Sequence, residues 1–151
     1  MTSCSSLSEA GDDLVEADEL SGCTVQVCAM LAEIRDAVGR LAGKGETHVI
    51  DLRSLPLSQT ERRQLRAALG DGEVSAQVTA LGETHVQETA VAGVWWIRHH
   101  NTTGEVMTEL VEVVRVPGIL EAQTGDIDEA FTRLQQRIDT LGCGNTEGGV
   151  Q

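Results

Sequence analysis

The sequence contains no tyrosine, a single phenylalanine (Phe131) and two tryptophans, adjacent at Trp95 and Trp96. A core built from it must be mainly Val, Leu, Ile and Ala, and the two indoles hold most of the aromatic surface. Positive charge is also scarce. Lys44 is the sole lysine, and no Lys or Arg precedes Arg35, whereas Glu9, Asp12, Asp13, Glu16, Asp18, Glu19 and Glu33 do. A net charge of −13 argues against a nucleic-acid backbone or an anionic membrane as the main partner, because both attract basic surfaces. No apolar run approaches the roughly 18–20 residues needed to span a bilayer. The first residues lack a basic stretch followed by an apolar one, so neither membrane insertion nor a signal peptide is expected. The expectation is a cytoplasmic protein whose cysteines (Cys4, Cys23, Cys28, Cys143) are mostly reduced thiols.

At 151 residues the chain suits one domain with tails, long enough to bury a core without disulfides or metals. Residues 1–22 are acidic and Ser-rich and are expected to be a disordered tail. Residues 23–142 are expected to form one α+β domain, and 143–151 a flexible Gly-rich tail. Val27, Leu31, Ile34, Val38 and Leu41 repeat at steps of four and three, which predicts a helix over about 24–42, ended by Gly43 and Gly45. Thr47–Leu52 is a short strand candidate. Ser58 and Glu61 form a Ser-x-x-Glu capping box opening a second helix, and Gly70-Asp71-Gly72 stops it. Its outer face carries Arg62, Arg63 and Arg66. Three strands are then expected: Glu73–Ala80, a long run over Thr84–His99, and Val106–Val116, the last two joined by a turn at Asn101–Gly104. Ile127, Phe131, Leu134, Ile138 and Leu141 predict a final helix ended by Gly142. The order α-β-α-β-β-β-α implies an antiparallel sheet of about four strands, a meander with a Trp-bearing hairpin, packed on helices.

Neighbouring strand residues point to opposite faces, so Trp95 and Trp96 cannot share one. With an unbulged turn, Trp95 lies opposite Leu110 and Trp96 opposite Glu109. The Trp95 face then reads as core. Trp96 has two readings: a packing residue beneath a layer, or a partner-binding hot spot beside Arg98 and Glu109, a role in which Trp and Arg are enriched. The arginine face of the second helix (Arg62, Arg66) reads either as a solvated face or as a dock for an acidic segment, whether a partner's or this chain's own N-terminus.

Signals for catalysis are weak. There is no Gly-x-Ser-x-Gly elbow and no Cys with His in a recognisable context. Glu88 stands without a second carboxylate at a defined distance, so it does not suggest acid–base work. Gly70-x-Gly72 and Gly142-x-Gly144 follow helices rather than open them and are stops, not phosphate cradles. Cys23-x4-Cys28 does not match the Cys-x2-Cys spacing of zinc or iron–sulfur knuckles. His48 and His85 stand alone, and the His99-His100 side chains diverge on a strand. No catalytic residue, metal or cofactor is expected, with Cys23, Cys28 and Cys143 as the alternative metal ligands.

Leu55-Pro56-Leu57-Ser58, Leu69-Gly70-Asp71-Gly72-Glu73-Val74-Ser75-Ala76, Glu88-Thr89, Gly93-Val94-Trp95-Trp96, Glu112-Val113 and Pro117 together resemble the C-terminal conserved region of HupH/HyaF-type hydrogenase expression/formation proteins. The resemblance covers about residues 47–142. It implies a non-catalytic accessory role in maturing nickel–iron uptake hydrogenases. The implied partners are the iron–sulfur small-subunit precursor or fellow maturation proteins, with no nucleic acid. Longer members carry more chain before this region. The partner-binding candidates are Trp96, Arg98, Glu88, Glu109, Arg62 and Arg66. The alternative is an iron or iron–sulfur carrier using the cysteine thiolates.

Overall fold

The structure is a computed structural model that describes residues 22–143. Apart from their inner ends, the acidic first segment and the glycine-rich last segment lie outside those residues, as does Cys4. The chain divides into two compact units, one ending at Arg115 and the other beginning at Val116.

The first unit opens with α1 (Val25–Lys44). Thr24 caps it, its hydroxyl accepting from the Val27 N–H at 3.3 Å. Gly45, in a left-handed conformation, closes it, the second of the two glycines expected to end the helix. β1 (His48–Asp51) follows. Then comes α2 (Gln59–Leu69), whose capping box is complete: the Ser58 hydroxyl accepts from the Glu61 N–H and the Glu61 carboxylate from the Ser58 N–H. Four strands complete the unit: β2 (Ser75–Ala80), β3 (Gly82–Glu88), β4 (Val94–His100) and β5 (Val106–Val113). All pairings are antiparallel and the strand order is β1-β5-β4-β3-β2. The α+β class and the meander match the sequence expectation. The sheet has five strands rather than about four, because the run Thr84–His99 is two strands and not one. Thr89 makes the break: its N–H and its hydroxyl both donate to the Val94 carbonyl, at 3.0 and 2.9 Å. Gly93 supplies the positive φ of 81° that the reversal needs.

The hairpin between β4 and β5 corrects the expected register. The Asn101 N–H donates to Glu105 O at 2.9 Å, and Gly104 has φ 84°, so the loop is one residue tighter than a four-residue turn. A further shift falls between His99 and His100. Trp95 is therefore opposite Glu112 and Trp96 opposite Val111, while Leu110 faces Ile97 and Glu109 faces Arg98. The total displacement is two residues along β5, so every side chain keeps its face.

Helices α1 and α2 cover one face only. Their buried residues (Val27, Met30, Ile34, Ala37, Leu41, Leu65, Leu69) form a single cluster with Ile50, Val94, Trp96, Val111 and Val113. Leu52 and Leu57, from the loop between β1 and α2, join it. This face changes character across the sheet. On β1, β5 and β4 it is apolar. On β3 and β2 the same face presents Glu83, His85, Gln87, Ser75, Gln77 and Thr79. The opposite face carries Val86, Trp95 and Ile97, all buried. Trp95 is fixed there by its indole N–H, which donates to Val114 O at 3.0 Å.

The second unit contains a short 3₁₀ turn (Gly118–Leu120) and α3 (Thr124–Leu141), which ends at Gly142 as the sequence predicts. None of the helices among the described residues is long and apolar enough to cross a membrane.

Candidate functional site

Four of the six sequence-derived candidates meet at one place on the helix-covered face. The Trp96 indole N–H donates to Glu109 Oε1 at 3.0 Å. Arg62, from α2, donates to Glu109 Oε2 at 3.2 Å and to the Leu52 carbonyl at 3.2 Å. Arg66, one helical turn on, lies over the Trp96 ring with its guanidinium carbon 5.3 Å from the centroid. It also pairs with Asp71 in the loop after the helix. The local reason is helical spacing: residues four apart share a face, so Arg62 and Arg66 descend together onto the sheet. The Glu109 carboxylate accepts from both an indole and a guanidinium, which fixes the rotamers of all three side chains.

This arrangement corrects the expectation that Trp96 offers its ring to a partner. Its side is the one the helices cover, and the residue is 4% exposed. The physical reason is the register: opposite Val111 rather than Glu109, the indole joins the apolar part of the face, and α2 closes over it. Trp95 is buried as expected but on the other face, and it meets Glu112, not Leu110. Glu88 does not reach the cluster either. It lies opposite Trp95 on the far face, where its carboxylate accepts from the Val74 N–H at 3.3 Å and its carbonyl from the Gly72 N–H at 2.8 Å. Its place is structural, tying the start of β2 to the end of β3.

Arg98 has the opposite fate. It shares the face of Trp96, one pair further along β4, beyond the cover of α2, and it is exposed. Its cross-strand neighbours are Glu109 on one side and His85 on the other. Arg98 therefore marks the border between the buried cluster and an open polar platform made by Gln77, His85 and Gln87. Sequence reasoning treated His85 as isolated, but the structure sets it edge-on to His100 with ring centroids 5.1 Å apart, and it pairs with Glu83 at 3.0 Å. The signal for this platform was present in the alternation Ser75, Gln77, Thr79 on β2. It needed the β2–β3 and β3–β4 registers to become a surface. His99 and His100 diverge as expected: His99 meets the Thr84 hydroxyl at 2.8 Å, on the other side of the sheet from His85.

Two polar atoms at the cluster, Arg62 Nε and Arg66 NH1, are buried without a hydrogen-bond partner among the described residues. The arrangement fixes the Trp96, Glu109 and Arg62 side chains against one another.

Cys23 and Cys28 are neighbours at the start of α1. Among the described residues no three His, Cys, Asp or Glu side chains are grouped to hold a metal ion. The Cys23 thiol is pushed up from its ordinary value, first by burial and then by the neighbouring Cys28.

Residues 24–141 match the family described as HupH hydrogenase expression protein, C-terminal conserved region. Among curated proteins, the chain is 30% identical over 114 residues to the hydrogenase expression/formation protein HoxQ of Azotobacter vinelandii, across 74% of this chain and 40% of that protein. It is 26% identical over 91 residues to the hydrogenase-1 operon protein HyaF of Escherichia coli, across 60% of this chain and 32% of that protein. The chain thus spans less than half the length of these relatives. Among solved structures, the hydrogenase expression protein HupH from Thiobacillus denitrificans is 37% identical with a TM-score of 0.74, covering 76% of this chain and 96% of that one.

Proposed function

The chain belongs to the HupH hydrogenase expression protein family through its C-terminal conserved region, and on that premise we propose that it is a non-catalytic accessory protein in the maturation of nickel–iron hydrogenase. Its client is a hydrogenase subunit, with the iron–sulfur small-subunit precursor first and a fellow maturation protein second. The names of its relatives, which are hydrogenase expression/formation proteins, support the process. The platform at Arg98 supports binding as the activity.

One observation carries the choice of surface. Arg98, Gln77, His85 and Gln87 form an open polar face bordered by a cluster whose rotamers are fixed. A rigid polar border next to exposed donors suits recognition, because little side-chain entropy is lost on binding. The binding residue is Arg98, and Glu109, Arg62 and Arg66 position the border beside it. Trp96 acts as the anchor beneath that border.

Co-purification of the chain with the small-subunit precursor tests the reading. Wild type retains the client, and Arg98→Glu with Gln87→Glu loses it by about tenfold or more in affinity, the scale of one disrupted charged contact. Retention unchanged in that variant removes the surface. Failure to capture any hydrogenase subunit or maturation protein removes the function. The carrier reading draws no support from the cysteine geometry. Iron analysis after anaerobic purification separates it from client binding.

A further inference from the structure

Client binding at Arg98 makes no use of the two cysteines at the start of α1. Their spacing did not fit a metal knuckle, but the helix cap gives it another meaning. Thr24 is the N-cap, so Cys23 stands immediately before the cap and Cys28 is the fourth helical residue. Side chains at these two positions meet across the first turn, as the two halves of a hydrophobic staple do. Here both halves are thiols. The Cys28 thiol is also among the causes that raise Cys23 from its ordinary value, which requires the two sulfurs to be side by side. The pair is asymmetric. Cys23 packs against the buried cluster under the helices, whereas Cys28 is exposed to solvent.

We propose that Cys23 and Cys28 form a redox-active dithiol, which a low-molecular-weight disulfide closes reversibly into a bond across the N-cap of α1. The exposed Cys28 thiolate attacks one sulfur of the small disulfide, breaking that S–S bond and releasing one thiolate. The Cys23 thiolate then attacks the Cys28 sulfur, and the second small-molecule sulfur leaves. The cysteines give two protons to solvent and two electrons to the small disulfide, which becomes two thiols.

The ring so closed spans only residues 23–28, and short rings gain least from chain entropy. Exposed disulfides are also the readily reduced ones. The bond is therefore a switch rather than a permanent brace. Thr24 lies inside the ring, and its hydroxyl both caps α1 and bonds to Glu61 at the cap of α2. Oxidation pins the first turn of α1 at the point where the two helix caps join.

The test uses the full chain with Cys4→Ser and Cys143→Ser, which leaves this pair as its sole thiols. It is equilibrated in native buffer with mixtures of reduced and oxidised glutathione, quenched with iodoacetamide and weighed intact. Both thiols become resistant to alkylation in one step, at the mass of an intramolecular disulfide, and dithiothreitol restores them. Cys23→Ser in the same background strands Cys28 as a mixed disulfide with glutathione. That adduct is about tenfold or more abundant than on the intact pair, because a tethered thiol outcompetes a dissolved one. Amide exchange in the first turn of α1 slows on oxidation. Thiols that stay alkylatable in the most oxidising mixture are a packing contact alone and overturn the proposal. A glutathione adduct no scarcer on the pair than on Cys23→Ser overturns it, as does a bond that forms only in urea. Unchanged amide exchange overturns the pinning of the helix.

Discussion

The Thr24 hydroxyl donates to the Glu61 carboxylate at 2.9 Å, joining the caps of two helices that lie 37 residues apart. The same hydroxyl caps α1, and the other carboxylate oxygen completes the capping box of α2 by accepting from the Ser58 N–H at 2.8 Å. These bonds, the Ser58 backbone N–H foremost and then Thr24, hold the Glu61 carboxyl below its ordinary value. A lowered folded-state value stabilises the fold above the unfolded value, about 4.3 for Glu, and that contribution is lost as the pH falls through the folded value. Glu61→Gln keeps a side chain suited to the capping box but removes the charge. It should be less stable than wild type at neutral pH, with the gap closing in acid. Urea unfolding of both proteins across that range measures it.

Glu112 should behave with the opposite sign. It lies between Trp95 on β4 and Val49 on β1, and burial pushes its carboxyl up while His99 partly opposes the shift. A raised value favours the fold below the ordinary carboxylate range, and this is lost as the pH rises through the folded value. Glu112→Gln mimics the neutral form. It should therefore be more stable than wild type at neutral pH and indistinguishable from it in acid. The same titration of unfolding free energy reports both residues.

The Glu109 cluster predicts coupled energetics. Glu109→Ala leaves the Trp96 indole N–H and the Arg62 guanidinium without their shared acceptor and should destabilise by about 1–3 kcal/mol. In a double-mutant cycle with Arg62→Ala, the coupling should exceed about 0.5 kcal/mol. Trp96→Ala should cost about 3–5 kcal/mol as a large core truncation. Arg98→Gln, at an exposed strand position, should stay within about 0.5 kcal/mol of wild type. Denaturant midpoints of the set distinguish the buried anchor from the surface residue.

Gly82 should be irreplaceable. Its φ is 125°, and a Cβ there would collide with the carbonyl oxygen of His100 on the neighbouring strand. Gly82→Ala combines left-handed strain with a backbone clash and should destabilise by at least about 2 kcal/mol. Thermal unfolding of the purified variant measures it.

Much of this was legible in the sequence, and the exceptions have physical causes. Both long amphipathic helices and the capping box follow local rules, and local rules held: Thr24 to Gly45 and Ser58 to Gly70 are bounded by the residues that cap them. The β3–β4 break was hidden because Thr89-Ala90-Val91-Ala92 has strand-like composition, while the turn is made by a threonine hydroxyl bonding to Val94. The alternation correctly separated Trp95 from Trp96 and kept Glu109 on the Trp96 side. It could not say which side the helices cover. That depends on Ile50, Val111 and Val113 arriving on the Trp96 face, which is a matter of long-range pairing. The cluster of Arg62, Arg66, Trp96 and Glu109 was therefore named residue by residue, but as an exposed dock rather than a buried anchor.

The absence of tyrosine has an optical consequence. The near-ultraviolet emission of this chain belongs to two indoles that sit back to back on one strand, one on each side of the sheet. Trp96 lies between a guanidinium and a carboxylate, and Trp95 is tethered to the Val114 carbonyl at the end of β5. Trp95→Phe leaves a lamp that reads the docking of α2, and Trp96→Phe leaves one that reads the opposite face. The protein thus carries its own two-channel gauge of which layer loosens first.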